Sequence, residues 1–192
     1  MGEYTTRPLD EKELKSIIES IAAGYTDHKG IVHKPNKQIA TILTLQANLG
    51  CRIGDICSLK VENFVYDGEA WKLDMSEQKT GKKRYFIVPT PVKAFIDRWM
   101  QEKGIVNGNL FTINEYAVWK QLRGVTDYLE LENVSAHSLR KTAALRIYNA
   151  SGKDIALTSQ FLNHSSPRIT ATYLKRSSKQ MDEITSKSVC LL

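Results

Sequence analysis

The chain has 192 residues, 42% hydrophobic and 25% charged, with 27 Lys/Arg against 21 Asp/Glu for a formal charge of +6. These proportions are ordinary for a folded globular domain able to bury its own core, and they argue against a disordered chain. There is no run of about eighteen apolar residues, so no membrane-spanning helix is expected, and the first residues lack the apolar stretch of a secretion signal.

Asp10 caps a predicted helix running to about Ala23, with Leu14, Ile17, Ile18 and Ile21 at helical spacing. Tyr25 to Pro35 reads as a loop. Asn36 opens a second helix through Ile39, Ile42, Leu43 and Leu45 that stops at Gly50. A short helix from Ile53 to Leu59 leads into three strands, Asn63–Tyr66, Ala70–Met75 and Lys83–Val88, separated by turn signals at 66–69 and 79–82. Thr90-Pro91 starts a helix reaching about Lys103. Further helices are expected at Asn114–Leu131, Ser138–Asn149, Asp154–Leu162, Pro167–Tyr173 and Ser178–Ser186. The fold class is mainly α with a small three-stranded antiparallel β-sheet, in one domain over 1–192.

Charge is unevenly spread. Between Val134 and Gln180 there are eight Lys/Arg and one acid, Asp154. A second basic knot, Lys79, Lys82, Lys83 and Arg84, falls in a predicted turn. This distribution favours a polyanionic partner over a merely well-solvated surface. Cys51, Cys57 and Cys190 have no metal-ligand spacing. Cys51 and Cys57 flank a buried helix end, where cysteine acts as a small hydrophobe.

Four segments carry candidate chemistry. Arg52 stands at a glycine break between two apolar helices, with Asp55 three residues on. Its guanidinium fork matches two phosphate oxygens, although a surface Arg52–Asp55 pair explains the spacing equally simply. Lys79, on the turn Gln78-Lys79-Thr80-Gly81-Lys82, is placed to give a proton to a leaving group, or is one cation of a solvated turn. His137 and Arg140 lie three apart at a helix start, where free N–H groups also favour an anion; a capped helix with a surface histidine is the plainer alternative. His164 follows Asn163, a residue tolerant of the left-handed helix stop. Nine residues later comes Tyr173, beside Lys175 and Arg176. Nearby positive charge eases phenol ionisation and suits a nucleophile, whereas most tyrosines in short helices simply pack.

The order of these residues is more specific than any one of them. Arg52, Lys79, His137-x-x-Arg140, His164 and Tyr173, in Leu49-Gly50-Cys51-Arg52, Leu139-Arg140-Lys141-Thr142 and Leu162-Asn163-His164-Ser165-Ser166, resemble the tyrosine recombinase (phage integrase) family from about residue 7 to 176. Cys51 replaces a usual leucine, Lys141 a common histidine and Asn163 a frequent glycine, and no catalytic position is lost.

The resemblance implies that Tyr173 attacks a DNA phosphate and leaves a 3′-phosphotyrosyl bond with a free 5′-hydroxyl. Arg52 and Arg140 would hold the non-bridging oxygens, Lys79 would protonate the departing oxygen, His137 would move protons and His164 would donate to the phosphate. Asp55 would sit behind the site and orient the His137 or Arg140 side, and Lys82, Lys83 and Arg168 would touch DNA. The scheme needs no cofactor and no metal. It further implies a bacterial, cytoplasmic, nucleoid-associated enzyme of a mobile element or prophage, acting on double-stranded DNA as a tetramer and monomeric as an isolated domain. The chain would be the C-terminal part of a larger integrase whose N-terminal DNA-binding domain is absent, and residues 174–192 would dock on a neighbouring subunit. A type IB topoisomerase-like enzyme or a non-catalytic helical DNA-binding protein are the competing readings.

Overall fold

The computed structural model describes residues 6–174, Thr172 and Tyr173 by their backbone. The expected helix over Ser178–Ser186, Cys190 and the docking segment beyond Leu174 lie outside the described residues.

Helix α1 (Glu11–Ala23) starts as expected from Asp10, whose carboxylate accepts the Glu13 amide while Glu13 accepts the Asp10 amide. Helix α2 (Lys37–Leu49) is the centre of the domain. Ile39 to Leu43, Leu45 to Ala47 and Leu49 are all buried, and a helix apolar on nearly every side belongs inside. It packs against α1 and against α6 (Ala136–Ala150). Between α1 and α2 the expected loop contains a small antiparallel hairpin, β1 (Tyr25–Thr26) and β2 (Val32–His33).

Helix α3 (Ile53–Cys57) and a 3₁₀ turn (Val61–Asn63) lead to β3 (Phe64–Tyr66), β4 (Trp71–Ser76) and β5 (Lys83–Ile87). The three strands pair in chain order, all antiparallel. Leu73 and Met75 point into the core from β4 while Tyr85 and Ile87 stand exposed on β5, the alternation of a sheet covered on one face. Helices α4 (Thr90–Lys103) and α5 (Glu115–Tyr128) follow. Then come α6, α7 (Ile155–Phe161) and α8 (Pro167–Leu174). Helix α5 ends three residues earlier than expected, where Glu130 and Asn133 turn the chain at φ 55° and 59°. Helix α6 starts two residues earlier because Ser135 caps it and accepts the His137 amide. Cys51 is fully buried and Cys57 half-buried. Burial raises both thiols, Cys57 to about 11, so neither is a ready thiolate.

Candidate active site

The site lies where the C-terminal ends of α2 and α7 meet the N-terminus of α6 and the β4–β5 turn. Helix α2 stops at Gly50, whose left-handed conformation (φ 61°) reverses the chain so that Cys51 is buried beneath and Arg52 emerges as the N-cap of α3. Arg52 does not pair with Asp55. Its Nη1 donates to Glu77 Oε2 at 2.5 Å, and Glu77 is 1% exposed.

Glu77 begins the β4–β5 turn. Its carbonyl accepts the Gly81 amide at 2.8 Å and its amide donates to the Lys82 carbonyl at 3.0 Å, closing the loop that holds Lys79. The same carboxylate accepts the Thr80 hydroxyl at 2.7 Å and Arg84 Nη1 at 3.3 Å. Burial pulls the Glu77 carboxyl upward, but the Thr80 and Arg52 hydrogen bonds and the two guanidinium charges outweigh it and hold the group below its ordinary value. Asp55 is also buried. Its Oδ1 accepts the Gln78 amide at 2.9 Å, which ties it to the turn that carries Lys79.

Two buried arginines clasp the helix ends. Arg140 donates from Nη1 to Gly50 O (2.6 Å) and from Nη2 to Leu162 O (2.7 Å). Arg84 donates from Nη2 to Leu49 O (3.0 Å) and Phe161 O (2.6 Å). Thus the last carbonyls of α2 and α7, which carry the negative end of each helix dipole, are shared between the same two cations. Arg146, a third arginine, adds a fifth bond, to Ala47 O at 2.5 Å. The sequence places Arg84 in a basic turn; the structure places it inward on β5 at 3% exposure, over the rings of Phe86 and Phe161, which touch each other edge to face.

After α7, Asn163 takes φ 54° and the His164 amide bonds back to Ser159 O. His164 Nδ1 lies 2.9 Å from the hydroxyl of Thr170, a fully buried residue of α8. The backbone of Tyr173 continues that helix one turn further; its side chain lies outside the described residues.

Two adjoining clefts collect the expected residues. One, of about 470 Å³, is lined by Arg52, Asp55, Lys79, His137 and Arg140, together with Gln46 and Glu115. The other, of about 200 Å³, shares Arg52, His137 and Arg140 and adds Lys82, His164 and Ser165. Lys83 stands outside them, 3.5 Å from Asp74, and Arg168 is exposed near the start of α8. Glu77, Arg84 and Thr170 are the residues that the motif search misses. Among the described residues no group of three His, Cys, Asp or Glu side chains is placed to hold a metal, and no helix is long and apolar enough to cross a membrane.

Burial first, and the neighbouring cations second, disfavour the protonated form of both histidines of the site. Partial desolvation and then Arg140, Lys141, Lys79 and Arg52 lower His137, although much of its surface is exposed. Desolvation, then Arg140 and Arg52, lower His164 to about 4. A neutral ring has one donor and one acceptor nitrogen, so in the tautomer whose Nδ1 accepts the Thr170 hydroxyl, Nε2 carries the proton. The folded chain therefore takes up the His164 proton only near pH 4, the unfolded chain near 6.5. Between those values the unfolded state binds more protons, so this contribution to stability is complete above 6.5 and lost as pH falls toward 4. NMR titration of the ring is expected to show no protonation of His164 above about pH 5, and His164→Gln is expected to flatten the acid limb of the stability profile. A ring titrating near 6.5 would contradict the burial of His164 among these cations.

Comparison with known proteins agrees with this geometry. The model of the phage integrase family matches residues 7–180. The probable integrase/recombinase YoeC of Bacillus subtilis (strain 168) is 31% identical over 145 residues, 72% of this chain and 78% of that protein. Among solved structures, the XerH site-specific recombinase in a post-cleavage complex with palindromic difH substrate superposes with a TM-score of 0.70 at 19% identity, covering 93% of this chain. This chain spans only 52% of the XerH chain. The catalytic domain of bacteriophage HP1 integrase gives a TM-score of 0.65 at 16% identity, with 94% of each chain covered.

Proposed function

The chain belongs to the phage integrase family, and on that premise we propose that it cuts and rejoins double-stranded DNA through a 3′-phosphotyrosyl bond to Tyr173. The observation that carries this reading is the convergence of Arg52, Lys79, His137, Arg140 and His164 on two clefts with three residues in common. These residues are scattered over more than a hundred positions, and a shared anionic ligand gives one reason for so much positive charge in one place.

In this reading the tyrosine oxygen attacks phosphorus as the 5′-oxygen leaves. Arg52, with its side chain 27% exposed, offers the non-bridging oxygens its remaining donors. Arg140 contributes its charge from the floor, with its plane set by Gly50 O and Leu162 O. Charge set in advance where the phosphorane becomes more negative stabilises the transition state without reorganisation. Lys79, on its closed turn, protonates the 5′-oxygen. Neutral His164 donates a hydrogen bond, and His137 moves the tyrosine proton. Asp55 holds the lysine turn through Gln78. Lys82, Lys83 and Arg168 contact the DNA backbone.

The near-complete mutual coverage with the HP1 catalytic domain supports reading the chain as one catalytic unit; in this proposal it works with a separate DNA-binding domain in a larger integrase of a bacterial mobile element, in the cytoplasm. We place its assembly on DNA at four copies. Residues 174–192, ending Val189-Cys190-Leu191-Leu192, dock on a neighbour.

The test is covalent trapping. Full-length wild type and Tyr173→Phe are mixed with labelled duplexes from the DNA flanking the gene, quenched in SDS and resolved on a gel. Wild type is expected to give an adduct that digests to a nucleotide-bearing Tyr173 peptide, and Tyr173→Phe none. Relaxation of supercoils without strand exchange would favour the topoisomerase-like reading; DNA binding with no adduct from the full-length protein would sink the catalytic one.

A further inference from the structure

We propose that Glu77 is a positioning residue that joins Arg52, on the phosphate side of the site, to the turn carrying Lys79, on the leaving-group side, so that one buried carboxylate sets both. This rests on the reading of the site given above.

The bonds of Glu77 divide between the two partners. Oε2 is shared by Arg52 Nη1 at 2.5 Å and the Thr80 hydroxyl at 2.7 Å, while Oε1 takes Arg84 Nη1 at 3.3 Å. Its own backbone closes the turn at Gly81 and Lys82. A carboxylate whose task was only to neutralise buried Arg84 would have no use for the Oε2 contacts. A buried negative charge behind a phosphate-binding cleft also weakens the cleft for its ligand. Its retention there makes sense if geometry matters more than net charge: an unheld arginine and an unheld turn lysine each sample many rotamers, and reaction needs both in register at once. Asp55, one turn into α3, makes a second tie to the same loop through the Gln78 amide. The Arg52 segment and the Lys79 turn are therefore fastened at two points.

The experiment separates the two halves of the claim by the leaving group. The full-length protein and its Glu77→Gln, Glu77→Ala and Thr80→Val variants are compared in single-turnover cleavage of an ordinary duplex and of the same duplex with a 5′-bridging phosphorothiolate. A departing thiolate needs no proton, so the second substrate bypasses Lys79. Thr80 is exposed, so its variant is expected to fold normally. Thermal melting accompanies each rate.

Glu77→Ala is expected to slow cleavage of the ordinary duplex by about 100-fold and of the phosphorothiolate by about 10-fold, the residue of the latter reporting Arg52. Glu77→Gln should fall between these and wild type. Thr80→Val should lose several-fold on the ordinary duplex and nothing on the phosphorothiolate. Equal losses on both substrates would overturn the link to the lysine turn. Rates unchanged within about threefold, or losses that track melting temperature alone, would reduce Glu77 to a structural ion pair. Wild type inactive on both substrates would instead sink the recombinase reading itself.

Discussion

Arg140→Ala is expected to lose about 3–5 kcal/mol of folding stability in addition to slowing strand cleavage by about 10³-fold. The two losses have one origin. Arg140 is 3% exposed and donates to the final carbonyls of both α2 and α7. Removing it leaves two buried acceptors at the negative ends of two helices, each costing about 1–3 kcal/mol when unpaired. It also deletes a charge from both clefts. Denaturant unfolding and single-turnover cleavage measure the two effects separately. Arg140→Lys keeps the charge but has a single point of donation, which cannot span Gly50 O and Leu162 O together. It should therefore recover less stability than its charge suggests. An alanine variant as stable as wild type would mean that the helix ends are held by something other than this clasp.

Much of this was readable in the sequence, and what was not has a common cause. Helical elements are legible because their signals are local: Asp10, Asn36, Asn114 and Asp154 each cap the helix that follows, and Ile39, Ile42 and Leu43 show the buried side of α2. The ordered catalytic set is legible because its spacing is unusual. The β1–β2 hairpin is not, since each strand has two residues. It is held by Asp27 accepting the amides of Lys29 and Ile31, and by Tyr25 stacked between His33 and the distant Tyr128.

The contacts of the site that the motifs do not reveal are made by polar residues whose partners come from elsewhere in the chain. Glu77 looks like a solvated acid at a turn until Arg52, 25 residues earlier, is beside it. Asp55 suggests a pair with Arg52 by helical spacing, and that pairing loses to Gln78 and Glu77. Arg84 did leave a trace. Along β5, Lys83 and Tyr85 point out and Arg84 in, and a period-two reading of the strand would have set it apart from the basic run. Composition hid that, because a buried arginine is too rare to be the default.

The second large effect concerns a residue with no side chain. Gly50→Ala is expected to cost about 2–4 kcal/mol and to impair cleavage beyond its effect on folding. Gly50 has φ 61°, and an added Cβ would stand 2.5 Å from Phe161 Cε1 and 2.8 Å from its Cζ. Phe161 has little room to yield. Its carbonyl is bonded to Arg84, and its ring lies under the Arg84 guanidinium and edge-on to Phe86. Either the ring moves, disturbing Arg84 and through it Glu77, or the chain reversal opens and carries Arg52 with it. Gly104 supplies the control. It also ends a helix in the left-handed region, at φ 64°, but nothing lies within 4 Å of its would-be Cβ. Gly104→Ala should therefore show the conformational cost alone, about 1 kcal/mol, with cleavage unchanged. Equilibrium unfolding of the two variants gives the steric part by difference. If Gly50→Ala lost no more stability than Gly104→Ala and cut DNA normally, the tight junction of α2 with α7 would not be what places Arg52. If it lost both, a helix stop and an aromatic ring would together account for where the first arginine of the site stands.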